Sequence, residues 1–276
     1  GEGSSIMQER THAFAMKSQM WLIDPRPNVP GIVRAVEQSF ELSEASNTPV
    51  FLQMRIRSCH VHGNFTAKDN VRPSPSLRDA MENPTRDVNR IVLPPASFEH
   101  EHEKVNQRWP AAVDFIRERG LNEVFEGDND RIGIIVQGGM YNTLIRTLER
   151  LGLSDTYGKT EIPIYVLNVA YPLVDDEVES FCKGKDAVLL VEEGQPNYIE
   201  QNIAAILRNC NSQVALEGKS VFPMAGEYTA AVMRKGIVQF LKTHKAVYKT
   251  PENPVDAIAG HVAGVDKLIP PRPPGL

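Results

Sequence analysis

The feature that most constrains the fold is a strict alternation of strand-like and helix-like segments between residues 131 and 209. Three apolar stretches, "RIGIIVQGG", "EIPIYVLNVAYPL" and "DAVLLVEEG", are strand-like, and each is followed by a segment with helical spacing of apolar residues. Such alternation is typical of βαβ units, which build a parallel sheet. With a strand pattern at "SQVALEGKS" and a helix pattern after it, the sequence predicts an α/β domain of roughly five strands over residues 128–245.

An incomplete α/β region precedes this domain. The segment "PGIVRAVEQSFELSEAS" has helical spacing, and "NTPVFLQMRI" is a turn signal followed by an apolar run typical of a buried strand. One helix with one or two strands buries too little surface to fold alone, so residues 1–70 are expected to be part of a larger domain. Residues 71–127 are predicted to be a proline-rich interdomain linker with a helix near Phe98 that Pro110 kinks or breaks. The proline-rich residues 246–276 are predicted to be an extended connector to a further domain.

Composition and charge exclude several classes of function. The 30 basic and 35 acidic residues give a formal net charge of -5, which leaves no basic surplus for nucleic-acid phosphates. No apolar run approaches the ~18 residues that a membrane span needs. The first residues lack the features of a signal peptide, so a cytoplasmic protein with no membrane partner is expected. The three cysteines are too scattered for a disulfide framework or a Cys-rich metal site, and no metal ligands are predicted.

Candidate ligand-binding residues lie where the predicted strands end, since ligands collect at that edge of a parallel sheet. Gly138 and Gly139 precede a helix N-terminus and could hold a small anion, although they fit neither the GxGxxG nor the P-loop spacing. A tight turn without a ligand is the alternative. Glu192 and Glu193 are adjacent, so they should face opposite sides and not form a carboxylate pair; one is expected to cap a helix or reach an interface.

The second candidate cluster is "RIRSCHVHG", at the exit of the buried strand in the first region. An arginine together with a histidine can bind a carboxylate or a phosphate, which singles out Arg57 and His60. A structural role at a domain junction is the alternative. If the strand continues, Arg57 and Cys59 share one face and His60 points away, which argues against a Cys59–His60 nucleophile pair.

Five segments resemble, in this order, the large thiamine-diphosphate-containing subunit of 2-oxoacid:ferredoxin oxidoreductases, most closely its indolepyruvate branch. They are "GEGSSIMQERTHA", "FELSEASNTPVFLQMRIRSCH", "VAYPLVDDEVESFCKGKDAVLLVEEGQPNYIEQNI", "GKSVFPMAGEY" and "IPPRPPGL". The resemblance implies an internal fragment of that subunit. Residues 1–70 would be the C-terminal part of a pyrimidine-binding domain, residues 128–245 a transketolase C-terminal-like parallel α/β domain, and residues 246–276 a connector to a missing domain.

The resemblance also implies an activity for the parent enzyme. It would oxidatively decarboxylate an indolepyruvate-like 2-oxoacid with coenzyme A, using thiamine diphosphate, Mg and iron–sulfur clusters, and would pass electrons to ferredoxin. A smaller partner subunit and a homodimer are implied as well. The fragment itself would be mainly scaffold, inactive alone and without a bound cofactor. The alternatives are another transketolase-like or pyruvate-oxidoreductase-like thiamine enzyme, or a stand-alone α/β module that binds a small anion.

Few site residues carry over from the family. The resemblance implies cofactor contacts at Ser4, Ser5, Arg57 and His60, although the acidic segment that usually follows the two serines is changed here. Interface or ligand roles are expected for a second set, namely Gly138, Gly139, Tyr171, Glu192 and Glu227. No catalytic residue and no metal ligand are carried over.

Overall fold

The apolar runs predicted as strands form two sheets in the computed structural model, which describes residues 11–72, 76–84, 91–245 and 252–269. The strands are β1 (Trp21–Ile23), β2 (Val50–Leu52), β3 (Glu123–Phe125), β4 (Ile132–Gln137), β5 (Ile164–Leu167), β6 (Val169–Tyr171), β7 (Ala187–Val191) and β8 (Ala215–Glu217). The first six helices are α1 (Thr11–Ser18), α2 (Val29–Ser46), α3 (Ile56–Cys59), α4 (Leu77–Glu82), α5 (Ala96–Glu103) and α6 (Trp109–Glu118). The others are α7 (Tyr141–Arg150), α8 (Asp175–Cys182), α9 (Tyr198–Asn209), α10 (Ala230–Thr243) and α11 (Glu252–Leu268).

The main sheet has the strand order β3-β5-β4-β7-β8. Strands β5, β4, β7 and β8 run parallel, and β3 pairs antiparallel with β5 at one edge. Every residue of β4, β5 and β7 is buried, which explains why these strands are continuously apolar rather than alternating. The predicted α/β fold class with a parallel sheet is confirmed. The edge strand β3 was not predicted.

The segment predicted as one strand, "EIPIYVLNVAYPL", is two strands in two different sheets. Strand β5 belongs to the main sheet, whereas β6 pairs antiparallel with β1 in a second sheet of order β2-β1-β6. The break falls at Asn168, whose side chain accepts a hydrogen bond from the Arg26 backbone N–H and donates to the Leu121 carbonyl and to Glu123. One stretch of chain therefore joins the small sheet to the main sheet.

Helix α2 covers the small sheet and begins and ends on local signals. The Asn28 side chain accepts a hydrogen bond from the Gly31 N–H at its start, and Asn47 adopts a left-handed conformation with φ 46° at its end. The helix packs on α6. Trp21 and Trp109 meet edge to face in the apolar cluster beneath, with ring centroids 5.5 Å apart. This core is shared, since Val169 and Val174 of the segment after β5 belong to it.

Of the two effects predicted for Pro110, a kink or a break, the break does not occur. Helix α5 begins two residues before Phe98 and continues through a π-helical turn, Lys104–Arg108, directly into α6. Pro110 falls in the first turn of α6. A π-helical turn changes the hydrogen-bond spacing, which accommodates the missing proline N–H and the bulk of the ring without ending the helix.

Helix α11 lies within the segment predicted as an extended connector, and the sequence analysis did not predict it. Its Ile258 packs against the apolar core of the main sheet. None of the helices in the described ranges is long and apolar enough to cross a membrane.

Candidate functional site

The carboxyl ends of strands from both sheets meet and bring charged side chains together. Asp24 follows β1, Arg55 and Arg57 follow β2, Glu193 follows β7, and Glu227 lies just before α10. These five residues form one set of ion pairs, which we call the charge network. Ligands of α/β proteins bind at this edge of the parallel sheet, so charged side chains here are candidates for a ligand site or an interface.

Arg55 is the centre of the charge network and is buried. Its Nε lies 3.0 Å and one of its terminal nitrogens 2.8 Å from an Asp24 carboxylate oxygen, and the other terminal nitrogen lies 2.6 Å from Glu193. Burial alone would lower the pKa of Arg55, but the Asp24 and Glu193 carboxylates raise it above its ordinary value. The guanidinium therefore stays charged, and its planar fork fixes both carboxylates in place.

Arg57 extends the charge network toward solvent. One terminal nitrogen lies 3.0 Å from Glu193 and 3.0 Å from Glu227. Its other terminal nitrogen donates to the Thr143 hydroxyl and to the Tyr228 carbonyl. Since the Arg57 and Glu227 side chains are 23% and 31% exposed, this is the open end of the charge network.

Glu193 is the carboxylate shared by both arginines, and backbone groups hold it as well. The Tyr228 N–H donates to it at 2.7 Å, and its own N–H donates to the side-chain oxygen of Gln137 at 2.9 Å. With two guanidiniums and an N–H on its oxygens, the buried carboxylate has the partners that a buried charge requires. Glu193 thereby links the ends of β7 and β4 to the segment after β2.

The turn at Gly138 and Gly139 is covered by the first region. A side chain on Gly138 would overlap the Asp24 backbone carbonyl, and one on Gly139 would overlap the Arg55 side chain and the Asp24 carboxylate. Glycine is required here because the two segments approach too closely for a Cβ atom. The space above this turn, where an anion could otherwise bind, is therefore filled by the Asp24 carboxylate and the Arg55 side chain.

Glu192 points away from the charge network, as expected for adjacent residues. Its two carboxylate oxygens accept from the Ile199 and Glu200 N–H groups at 2.9 and 3.0 Å, so it caps the start of α9. Burial raises the pKa of Glu192 to about 7, and the two N–H donors oppose that rise. The expectation that one of the two glutamates caps a helix is confirmed.

This raised pKa gives a prediction for stability against pH. A group whose pKa is about 7 when folded and about 4.5 when unfolded stabilises the fold fully below pH ~4.5, and this contribution is lost as the pH rises through 7. The total loss is about 3 kcal/mol, of which about 2 kcal/mol falls between pH 5.5 and pH 8.5. In urea denaturation from pH 5.5 to 8.5, Glu192→Gln should lack this decline, while exposed Glu149→Gln should follow the wild type. Parallel profiles for Glu192→Gln and the wild type would contradict the assignment.

The other predicted residues lie apart from the charge network. His60 is exposed at the end of α3, and Tyr171 lies in β6 against Trp109 and His12. Ser4 and Ser5 lie outside the described residues. The condition that the strand continues through residues 57–61 is not met, because Ile56–Cys59 is a short helix. A helical turn lets Arg57 reach inward while Cys59 and His60 face solvent.

Sequence reasoning missed Asp24 and the central role of Arg55. Arg55 lies in the quoted cluster but was passed over in favour of Arg57. The available signal was position, since an acidic residue directly after "WLI" and an arginine three residues after "VFL" both follow apolar runs. Charged residues directly after buried strands tend to face that sheet edge.

Comparison with known proteins adds family information to this geometry. A family model described as the indolepyruvate ferredoxin oxidoreductase middle domain matches residues 121–223. The chain is 29% identical over 238 residues to indolepyruvate oxidoreductase subunit IorA of Methanothermobacter thermautotrophicus, covering 85% of this chain and 36% of that protein. It is 25% identical over 277 residues to IorA of Pyrococcus abyssi, covering 99% of this chain and 40% of that protein. The chain thus spans well under half of these relatives, and its resemblance to the indolepyruvate branch is confirmed.

A likeness to a solved structure is weaker. The 2-oxoglutarate:ferredoxin oxidoreductase from Magnetococcus marinus aligns with a TM-score of 0.38 and 17% identity, over 52% of this chain and 23% of that chain.

Proposed function

We propose, starting from the confirmed resemblance to the large subunit of indolepyruvate ferredoxin oxidoreductases, that this chain is the middle part of such a subunit. The enzyme would oxidatively decarboxylate an aryl 2-oxoacid, transfer the acyl group to coenzyme A and pass electrons to ferredoxin. The observation that carries the proposal is the middle-domain match at 121–223 within a chain that aligns with IorA proteins over 85% or more of its length. The whole activity belongs to the longer protein.

The role proposed for this part of the subunit is to hold its two regions in register. Arg55 precedes the matched middle domain and is buried against Glu193 within it. A buried guanidinium paired with two carboxylates tolerates little displacement, because any gap leaves a charge without a partner. The first region and the middle domain would therefore present a fixed surface to the rest of the enzyme.

Thiamine diphosphate, with Mg, is the cofactor proposed for the parent enzyme, where it would supply the carbanion chemistry of decarboxylation. The described residues do not form a site for it by themselves. Arg57 is held by Glu193 and Glu227, and His60 lies on the surface. In the described ranges no group of three or more His, Cys, Asp or Glu side chains could hold a metal ion. Cofactor contacts at Ser4, Ser5, Arg57 and His60 stay predictions.

Further parts of the proposal concern assembly and location. A smaller partner subunit, a homodimer, iron–sulfur clusters in the parent enzyme and a cytoplasmic location are proposed from the resemblance alone. The domain division at 1–70, 71–127, 128–245 and 246–276 is proposed on the same basis. The alternative of a stand-alone module that binds an anion at Gly138 and Gly139 gains no support, since Asp24 and Arg55 cover that turn.

The test is an anaerobic assay of the longer protein with its partner subunit, following reduction of a viologen dye. Indolepyruvate should be oxidised only with coenzyme A and thiamine diphosphate present, and faster than pyruvate or 2-oxoglutarate. A preference for pyruvate would favour another branch of thiamine enzymes. No oxidation of any 2-oxoacid would contradict the proposal. Light scattering on the same preparation tests the homodimer.

A further inference from the structure

Helix α1 is held against the rest of the chain by one narrow face, and His12 lies on that face. His12, Ala15 and Met16 follow the i, i+3, i+4 spacing that places side chains on the same side of a helix. Ala15 is buried in an apolar cluster with Leu22 of β1, whereas Phe14 on the other side is 59% exposed. Since Ala15 is the one buried residue within α1, few contacts hold this helix, and a change in the charge of one of them can release it.

The His12 ring lies between two tyrosines from different parts of the fold. Its centroid is 6.3 Å from that of Tyr171 in β6 and 5.8 Å from that of Tyr198 at the start of α9. Its Nε2 atom is buried and has no hydrogen-bond partner among the residues that the structure describes. In the neutral ring one nitrogen carries no proton, so Nε2 needs no acceptor. The charged ring carries a proton on both nitrogens, which would leave a buried N–H without an acceptor.

The elements packed against His12 offer no negative charge to a protonated ring. The titratable groups that face it are Tyr171 from β6 and Tyr198 from α9, and β1 (Trp21–Ile23) has no titratable side chain. Tyrosine carries no charge at or below neutral pH. Burial lowers the pKa of His12 from 6.5 to about 4, and no neighbouring carboxylate opposes this shift. The docked position of α1 therefore favours the neutral ring.

We propose that helix α1 is a pH-sensitive switch, docked across β6 and the start of α9 while His12 is neutral and released when His12 gains a proton. The pKa of His12 is lower when α1 is docked than when the ring is in water. Docking is therefore fully stabilised above pH 6.5, and this stabilisation is lost as the pH falls from 6.5 toward 4. The equilibrium between released and docked α1 should rise about 30-fold from pH 7.5 to pH 5.0. The proposal concerns this chain alone and does not depend on the proposed enzyme activity.

The test is hydrogen–deuterium exchange of the purified chain at pH 7.5 and pH 5.0, with each rate corrected for the intrinsic effect of pH on exchange. The amides of α1 should lose protection about 30-fold at pH 5.0, while those of α10 in the main core should change far less. His12→Phe keeps an aromatic ring that cannot gain a proton, so α1 should be equally protected at both pH values. The matched control, His62→Phe, replaces an exposed histidine and should show the same loss as the wild type.

Three results would overturn the proposal. One is equal protection of α1 at both pH values in the wild type. Another is a loss of protection in His12→Phe as large as in the wild type, which would exclude His12 as the titrating group. The third is a loss in α10 as large as that in α1, which would indicate general unfolding in acid. Circular dichroism at pH 7.5 verifies that each variant is folded, and His12→Gln, polar but uncharged, carries the same expectation if phenylalanine does not fit.

Discussion

Replacing Arg55 with methionine should lower the free energy of unfolding by about 3–5 kcal/mol, because removing one partner of a buried ion pair leaves an uncompensated charge. Here two carboxylates, Asp24 and Glu193, lose their shared cation, and each side chain is 1% exposed. Methionine keeps much of the side-chain length, so the loss reports the charge rather than a large cavity. The measurement is urea denaturation followed by circular dichroism.

Two control variants are compared with Arg55→Met. Arg131→Met removes an exposed pair with Asp186 and should cost at most about 1 kcal/mol. Arg55→Lys keeps the charge but loses the planar fork that contacts both carboxylates, so its effect should be intermediate. If Arg55→Met costs no more than Arg131→Met, the charge network does not hold the two regions together.

Replacing Gly138 with alanine should be the other severe change. The added Cβ would overlap the Asp24 carbonyl oxygen, and both segments are buried strand ends that cannot move apart freely. Overpacking of this kind costs about 1–3 kcal/mol and more where backbone must shift, so a loss of about 3 kcal/mol is expected. Thermal unfolding of the variant measures it as a lower midpoint.

The matched control is Gly264→Ala in α11. Nothing lies within 4 Å of a Cβ at that position, and alanine favours a helix by about 1 kcal/mol over glycine. This variant should be as stable as the wild type or slightly more so. Equal stability of Gly138→Ala and the wild type would show that Asp24 does not sit on the turn.

The alternation of strands and helices in the main sheet could be predicted from the sequence because it depends on local periodicity. Strands β4, β5 and β7 are apolar at nearly every position, and the helices between them have clear apolar faces. The split between β5 and β6 could not be predicted in this way. It depends on Asn168 contacting Arg26, Leu121 and Glu123, all far away in sequence.

The candidate site was predicted in part for the same reason. The edge of the sheet and the segment "RIRSCHVHG" were identified from strand ends, which are local features. Which arginine is buried was not predictable, because that depends on a helical turn at Ile56–Cys59 and on Asp24 after β1. Glu192 was predictable as a cap because its neighbour on an extended backbone must face the other way.

The central claim is that the first region and the main sheet form one folding unit, joined by the charge network and by the pairing of β1 with β6. Both tryptophans of the chain, Trp21 and Trp109, lie in the apolar cluster of the small sheet, so their fluorescence reports the packing of that cluster. Circular dichroism reports the helices of both regions. Urea denaturation of the wild type followed by the two signals in the same samples should give coincident transitions. A fluorescence transition at clearly lower urea than the circular dichroism transition would contradict the claim.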